Sequence, residues 1–174
     1  INRAADDAAG LAISEKLRSQ IGGLAQAQRN AMDGVSLVQT AEGALTEVHA
    51  MLQRVRDLAV QFNNGTLSTS DKAAITAEVA QLCAQVSSVG ADTKFNGIAL
   101  LTGTSTITFQ VGAEDAQTIS TSAVALFGSG ATFKVDSAIF AFSGTVSLSS
   151  IDTAITNVSS SRATFGSVQN RMQH

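Results

Sequence analysis

The chain has 174 residues, with no proline, tryptophan or tyrosine, one cysteine and a formal net charge of -3. That length suits one ordinary domain with a sizeable core, or one long extended domain. Charged residues are only 14% of the chain and no run of lysine or arginine occurs, which argues against nucleic acid and anionic membranes as partners.

No apolar run approaches the roughly 18 residues of a membrane span, and no signal peptide is visible. The chain starts at Ile1 without methionine and stops in mid-pattern at His174. The expectation is a fragment of a longer protein, in which a missing targeting signal says nothing. A single cysteine, Cys83, excludes an internal disulfide and reads as a small, half-buried apolar residue. His49 and His174 are far apart, so no metal and no cofactor are expected.

The first sixty residues read as one helix. Asn2 is a candidate N-cap, and Asp6 and Asp7 place negative charge in the first turn. Leu17, Ile21, Leu24, Ala31, Val35 and Val38 recur at three-four spacing, with Gln28 as a polar member. Ala41, Leu45, Val48, Leu52, Val55, Ala59 and Phe62 continue the seam. Two three-residue steps between Val35 and Ala41 break the strict heptad and should overwind the seam there. Gly34 and Gly43 flank the break. Each costs about 1 kcal/mol relative to alanine in a helix, so close helix packing is expected at both. A helix from Ala5 to Asn63 would be about 90 Å long, too long for a compact domain, and must lie along a rod.

The stretch "NNGT" ends that helix, with Asn64-Gly65 as the C-cap signal. Ser70 is placed to cap a second helix, whose seam is Ile75, Val79, Leu82, Val86 and Val89. Asn96-Gly97 marks a turn. Over residues 107–121 the period changes to two. "ITFQVG" puts Ile107, Phe109 and Val111 on one face, "GAED" turns, and "QTISTS" returns as the second strand of a hairpin. Residues 122–148 are irregular and rich in Ser, Gly and Phe, with room for a short extra strand or two. A last helix starts at Ser149 or Ser150. Leu148, Ile151, Ile155, Val158, Phe165 and Met172 form its seam, with Arg162 and Gln169 as polar members.

These seams require partners. The expected fold is mainly α: an elongated antiparallel helical bundle, coiled-coil-like, of one long and two shorter helices, with a β-hairpin packed along the rod. The chain divides as one elongated domain, 1–174: helical residues 1–101, the hairpin region 102–121, a short variable linker 122–148 and a final helix 149–174. Ile1 and His174 should lie at the same end.

No catalytic motif is present. There is no Gly-rich phosphate loop, Ser14 lacks the Ser-x-x-Lys spacing, and the carboxylates sit on helix faces among basic neighbours. Asn64-Gly65-Thr66 and Asn157-Val158-Ser159 fit the N-glycosylation pattern, which is short enough to recur by chance. In "LQRVRDLAVQFNNGT" (52–66), seam phase puts Val55 and Ala59 inward. Arg54 then points out, and Leu58 and Gln61 follow four and seven residues on, along a neighbouring outward stripe. Asp57 is spaced to pair with Arg54. The plain reading is a solvated face with one exposed leucine.

Five ordered blocks closely resemble bacterial flagellin. "INRAADDAAGLAIS", "QRNAMDGVSLVQTAEGAL", "LQRVRDLAVQFNNGT" and "TKFNGIALL" resemble its N-terminal conserved region, and "SSSRATFGSVQNRM" its C-terminal one. The resemblance implies the rod-like middle portion of a filament subunit, whose two N-terminal helices, hairpin and C-terminal helix match the order read here. It implies assembly with other flagellin subunits in the flagellar filament, secretion with an export chaperone, and folding beneath a filament cap. It also implies a core lacking both terminal segments, monomeric in solution. Flagellins recognised by the vertebrate innate sensor Toll-like receptor 5 use an Arg and a Leu on this helix and a Glu on the next. Matched residue by residue these are Arg54, Leu58 and Glu78, with Gln53, Arg56 and Gln61 beside them. The second helix is poorer in charge than in enteric flagellins, Leu82 and Cys83 depart from the usual residues, and Phe165 stands for a usual leucine. Two other readings compete: a hook–filament junction protein, and a signalling coiled coil that would contain no hairpin.

Overall fold

A computed structural model describes residues 8–103, 105–126, 135 and 137–174. The proposed Asn2 cap, Asp6, Asp7 and the placement of Ile1 fall outside these residues. Helix α1 runs Ala8–Phe62, 55 residues, or about 82 Å at 1.5 Å per residue. At its end the Asn63 amide donates to the Ala59 carbonyl and the Asn64 amide to the Gln61 carbonyl, tightening the last turn. Asn63 then clasps a distant segment. Its Nδ2 donates to the Val146 carbonyl and its Oδ1 accepts from the Val146 amide, both at 2.9 Å.

Helix α2 spans Thr69–Asp92 and is capped by Ser68 rather than Ser70. The Ser68 hydroxyl accepts from the Asp71 amide, and the Asp71 carboxylate accepts from the Ser68 amide at 3.1 Å. Three residues after Ser70 stands Ala73, which has no carboxylate to return the bond, so the reciprocal capping box selects Ser68. The hydroxyl of Ser68 also donates to Asp71 Oδ2 at 2.7 Å, and these bonds hold the Asp71 carboxyl below its ordinary value.

Two hairpins follow. Strands β1 (Lys94–Phe95) and β2 (Ile98–Ala99) pair antiparallel across Asn96 and Gly97. Those two residues have φ of 48° and 79°, both left-handed as a type I′ turn demands. The sequence signalled this turn, but two-residue strands are too short to show a period. Strands β3 (Thr106–Gln110) and β4 (Thr118–Ser122) pair with Thr108 opposite Ser120 and Phe109 opposite Ile119. This is the expected hairpin, with Ile107 and Phe109 inward and Thr106, Thr108 and Gln110 outward. Beyond β4, the described part of 122–148 holds a 3-10 helix, Ser137–Phe140, and no further strand. Helix α3 spans Leu148–Gln173, beginning one or two residues earlier than expected.

Both shorter helices run antiparallel to α1. Arg54 of α1 bridges Glu78 of α2, while Arg56 and Glu42 bridge Asp152 and Arg162 of α3 in reverse order. The core lies where three layers meet: Leu45, Leu52, Val55 and Ala59 of α1, Val79 and Val86 of α2, and Ile151, Val158 and Phe165 of α3. Phe62 closes one end against Phe142, edge to face with ring centroids 5.3 Å apart. At the other end the β3–β4 hairpin lies against α1. Asn30 Nδ2 donates to the Gln110 carbonyl at 3.0 Å, and Ala113 of the hairpin turn rests on Gly23.

The sequence seam is corrected at its start. Leu17, Ile21 and Leu24 are 53%, 68% and 56% exposed, not packed. Met172, in the last turn of α3, lies abreast of Gly34, so no described residue of α3 reaches that part of α1. The glycine expectation divides as well. Gly34 has Met172 and Phe109 against it, whereas nothing stands within 4 Å of a side chain placed at Gly43.

Candidate functional site

Arg54, Leu58, Gln53, Gln61 and Arg56 lie in the last three turns of α1 and Glu78 in the first half of α2, near the end closed by Phe62, where α1 is flanked by α2 on one side and α3 on the other. Arg54 and Glu78 come together. Arg54 Nη2 and Nε approach Glu78 Oε1 at 2.7 and 2.8 Å, with both side chains about half exposed. The partner of Arg54 is therefore Glu78 across the helix interface, not Asp57 on its own helix. Two donors converge on one carboxylate oxygen, Glu78 Oε1, in a charge-assisted pair at the surface.

Leu58 is not part of that surface. It is 2% exposed and belongs to the core, which corrects the outward placement read from the sequence. The reason is the width of the apolar arc. At about 100° per residue, Leu58 stands only about 40° round α1 from Arg54, on the side where Arg54 reaches α2. A helix with one partner buries a narrow seam. This helix has two, and the second one covers Leu58.

Arg56 also separates from Arg54. Its Nε donates to Asp152 Oδ1 of α3 at 2.6 Å. The hydrogen bond and the charge of Asp152 raise the Arg56 pKa above its ordinary value. Arg56 thus stitches α1 to α3 on the flank opposite Glu78. Gln53 is exposed and its amide lies 2.9 Å from His49 Nε2. Gln61 is exposed in the same stripe as Arg54.

Between the two ion pairs α1 presents an outward arc of about 120° that carries Arg54, Gln61, Asp57, Gln53 and Val60. Val60 is 50% exposed, and it, not Leu58, is the apolar side chain offered to a partner here. Seam phase does not single out Val60, which stands about 120° round α1 from Arg54. Sequence reasoning also missed Asp152 and the Glu42–Arg162 pair, for which no spacing rule within one helix gives a signal. Among the described residues no three His, Cys, Asp or Glu side chains converge, and no helix is long and apolar enough to cross a membrane.

This geometry can serve recognition: a preformed cross-helix ion pair beside amides and a single valine, on a helix braced from both sides. Residues 1–106 match the family model described as the bacterial flagellin N-terminal helical region. A flagellin of Halalkalibacterium halodurans is 44% identical over 177 residues, covering all of this chain and 65% of that protein. A flagellin of Bacillus subtilis is 41% identical, again over the whole chain and 69% of its own length. A Salmonella muenchen flagellin is 52% identical over 119 residues, but only 24% of it is spanned. The chain thus spans from about a quarter to about two thirds of these relatives. The crystal structure of Bacillus cereus flagellin superposes with a TM-score of 0.69 at 30% identity, covering 84% of this chain and 86% of that one. With the helices, the hairpin and their order in agreement, the chain belongs to the bacterial flagellin family.

Proposed function

We infer that the protein is a structural subunit of the bacterial flagellar filament, secreted and assembled outside the cell by stacking with other copies of itself. The observation that carries this reading is the similarity, along the whole of this chain, to flagellins of Halalkalibacterium halodurans and Bacillus subtilis, together with an α1 of 55 residues that packs against α2 and α3 over its C-terminal half. A long helix of this kind suits a load-bearing rod. An export chaperone and a filament cap are the further partners this role calls for.

The outward arc of α1 with Glu78 is the surface we assign to contacts between subunits. The same arc is our candidate for recognition by Toll-like receptor 5. Arg54 and Glu78 would act as one charged anchor and Gln53 and Gln61 as hydrogen-bonding neighbours. Leu58 supports that anchor from beneath and does not touch the partner. A mixed polar surface with an arginine at its centre has the make-up of a binding hot spot.

The test is to extend the chain at both ends with the flanking segments of the Bacillus subtilis relative and ask whether it polymerises. Filaments seen by electron microscopy support the reading. Monomers that never polymerise overturn it. A hook–filament junction protein would instead join a bare hook without forming long filaments. The β3–β4 hairpin speaks against a signalling coiled coil. Receptor contact is tested separately, by binding of Arg54→Ala and Glu78→Ala chains to the receptor ectodomain. Unchanged affinity in the double variant would remove that part of the proposal.

A further inference from the structure

The turn between α1 and α2 contains two consecutive asparagines whose side chains are placed for opposite fates. Asn63 is held at both ends of its amide by the Val146 backbone. Asn64 is exposed, and its Oδ1 accepts a hydrogen bond from the Thr66 amide at 3.2 Å. That Asx turn folds the side chain back over the Asn64-Gly65 peptide. Gly65 has open space around it, and among the described residues no acceptor engages its N–H. The second Asn-Gly pair, Asn96-Gly97, differs in one respect that matters. Asn96 is fixed at φ 48° in the turn joining β1 to β2.

We propose that Asn64 is a site of spontaneous intramolecular modification, in which folding selects it over Asn96 and Asn63 for conversion to aspartate and isoaspartate. The Gly65 nitrogen gives up its proton to solvent base and attacks Cγ of Asn64. A new N–Cγ bond forms and the carbonyl electron pair moves onto Oδ1. The Thr66 N–H already points at that oxygen and stabilises the developing charge, as an oxyanion donor does. The bond from Cγ to the side-chain nitrogen then breaks and ammonia leaves, giving a five-membered imide. Water opens the imide at either carbonyl. No reactant besides water and solvent base is consumed. Glycine at position 65 puts no side chain in the path of attack.

Asn96 and Gly97 are both held at positive φ in the turn joining β1 to β2, so ring closure there must first open that turn. At Asn63 the amide is clasped and its following residue is Asn64, not glycine. Conversion at Asn64 adds a carboxylate just beyond the C-terminal end of α1. No basic residue stands in that last turn, so the new charge opposes the helix dipole and loosens the turn. An isoaspartate also lengthens the backbone beside the Asn63–Val146 clasp.

The experiment incubates the intact folded chain under mildly alkaline, warm conditions and follows tryptic peptides by mass spectrometry. The peptide from Asp57 to Lys72 contains both Asn63 and Asn64, and electron-based fragmentation tells them apart and separates aspartate from isoaspartate. Asn64 should convert about tenfold faster than Asn96, the factor that corresponds to roughly 1.4 kcal/mol of turn opening. In denaturant the two Asn-Gly pairs should convert at similar rates. A Gly65→Ala chain should convert more slowly in either condition. Equal rates at Asn64 and Asn96 in the folded chain, or conversion led by Asn63, would overturn the proposal.

Discussion

Replacing Leu58 by alanine removes three carbons from a site that is 2% exposed and enclosed by the core. At about 0.8 kcal/mol per buried methylene the transfer loss alone is roughly 2 kcal/mol. The cavity left between α1 and α2 adds to it, since buried leucine-to-alanine changes cost about 2.7–5 kcal/mol in all. We expect about 3 kcal/mol, near the lower end of that range. For a chain of this size that is a fall of about 6–12 °C in Tm. The assay is urea denaturation followed by the helical circular dichroism signal, since the chain has no tryptophan or tyrosine to report by fluorescence. Leu58→Met keeps the volume and should cost less than about 1.5 kcal/mol. Arg54→Ala, on the surface one turn away, should cost at most about 1 kcal/mol. A Leu58→Ala loss no larger than that of Arg54→Ala would refute the burial and return Leu58 to the outer face. The distinction bears on receptor work: a loss of signalling on mutating Leu58 would report a damaged support, not a lost contact.

A double-mutant cycle on Arg54 and Glu78 should give a coupling of about 0.2–1 kcal/mol that shrinks as salt is raised; a coupling unaffected by salt would mean the pair is not a solvated ion pair. Asp71 is held below the ordinary 3.8 by the Ser68 hydroxyl and then the Ser68 amide, so its contribution is complete above that value and is lost as pH falls through the lowered one. Protection of the first-turn amides of α2, taken relative to the intrinsic exchange rate at each pH, should therefore fall on acidification, and a Ser68→Ala chain should show low protection already at neutral pH. Burial raises the Cys83 thiol above its ordinary 9.0, so alkylation at neutral pH should be slower than that of a free cysteine and should catch up on denaturation; equal rates would place the thiol in open solvent. Gly43→Ala should stabilise by about 1 kcal/mol, the helix propensity gain. Gly34→Ala carries the same gain but sets its Cβ 2.7 Å from Met172 Sδ, so its denaturation midpoint should lie clearly below that of Gly43→Ala.

The elements of this fold were legible in the sequence wherever a period ran long enough to average out exceptions. The α1 seam from Val38 to Phe62 is buried at every position the spacing assigned, and the alternation of "ITFQVG" found β3. What spacing could not supply was the number of partners at each level of the rod. Below Gly34, α1 has the hairpin turn beside it and no described residue of α3; Leu17 and Ile21 therefore keep the heptad phase without being covered. Near Leu58 it has two helical partners, and the buried arc widens past the seam.

The candidate site turns on the same count. Phase correctly set Arg54 outward, since Arg54 is at the edge of any arc centred on Val55 and Ala59. Leu58 is nearer that centre by about 40°, a margin that a single-seam reading places outside and a three-helix packing places inside. The cross-helix pair then follows from burial beneath it. With Leu58 drawn in, α1 and α2 approach closely enough for the guanidinium to reach Glu78 at 2.7 Å. The apolar residue and the ion pair are thus parts of one device, packed below and charged above. An assembly contact on this face should depend on Leu58 through the position of Arg54 and Glu78, and on Val60 through direct touch. Substituting Val60 by serine should therefore weaken assembly or receptor contact while leaving the denaturation midpoint nearly unchanged, the reverse of what Leu58→Ala does.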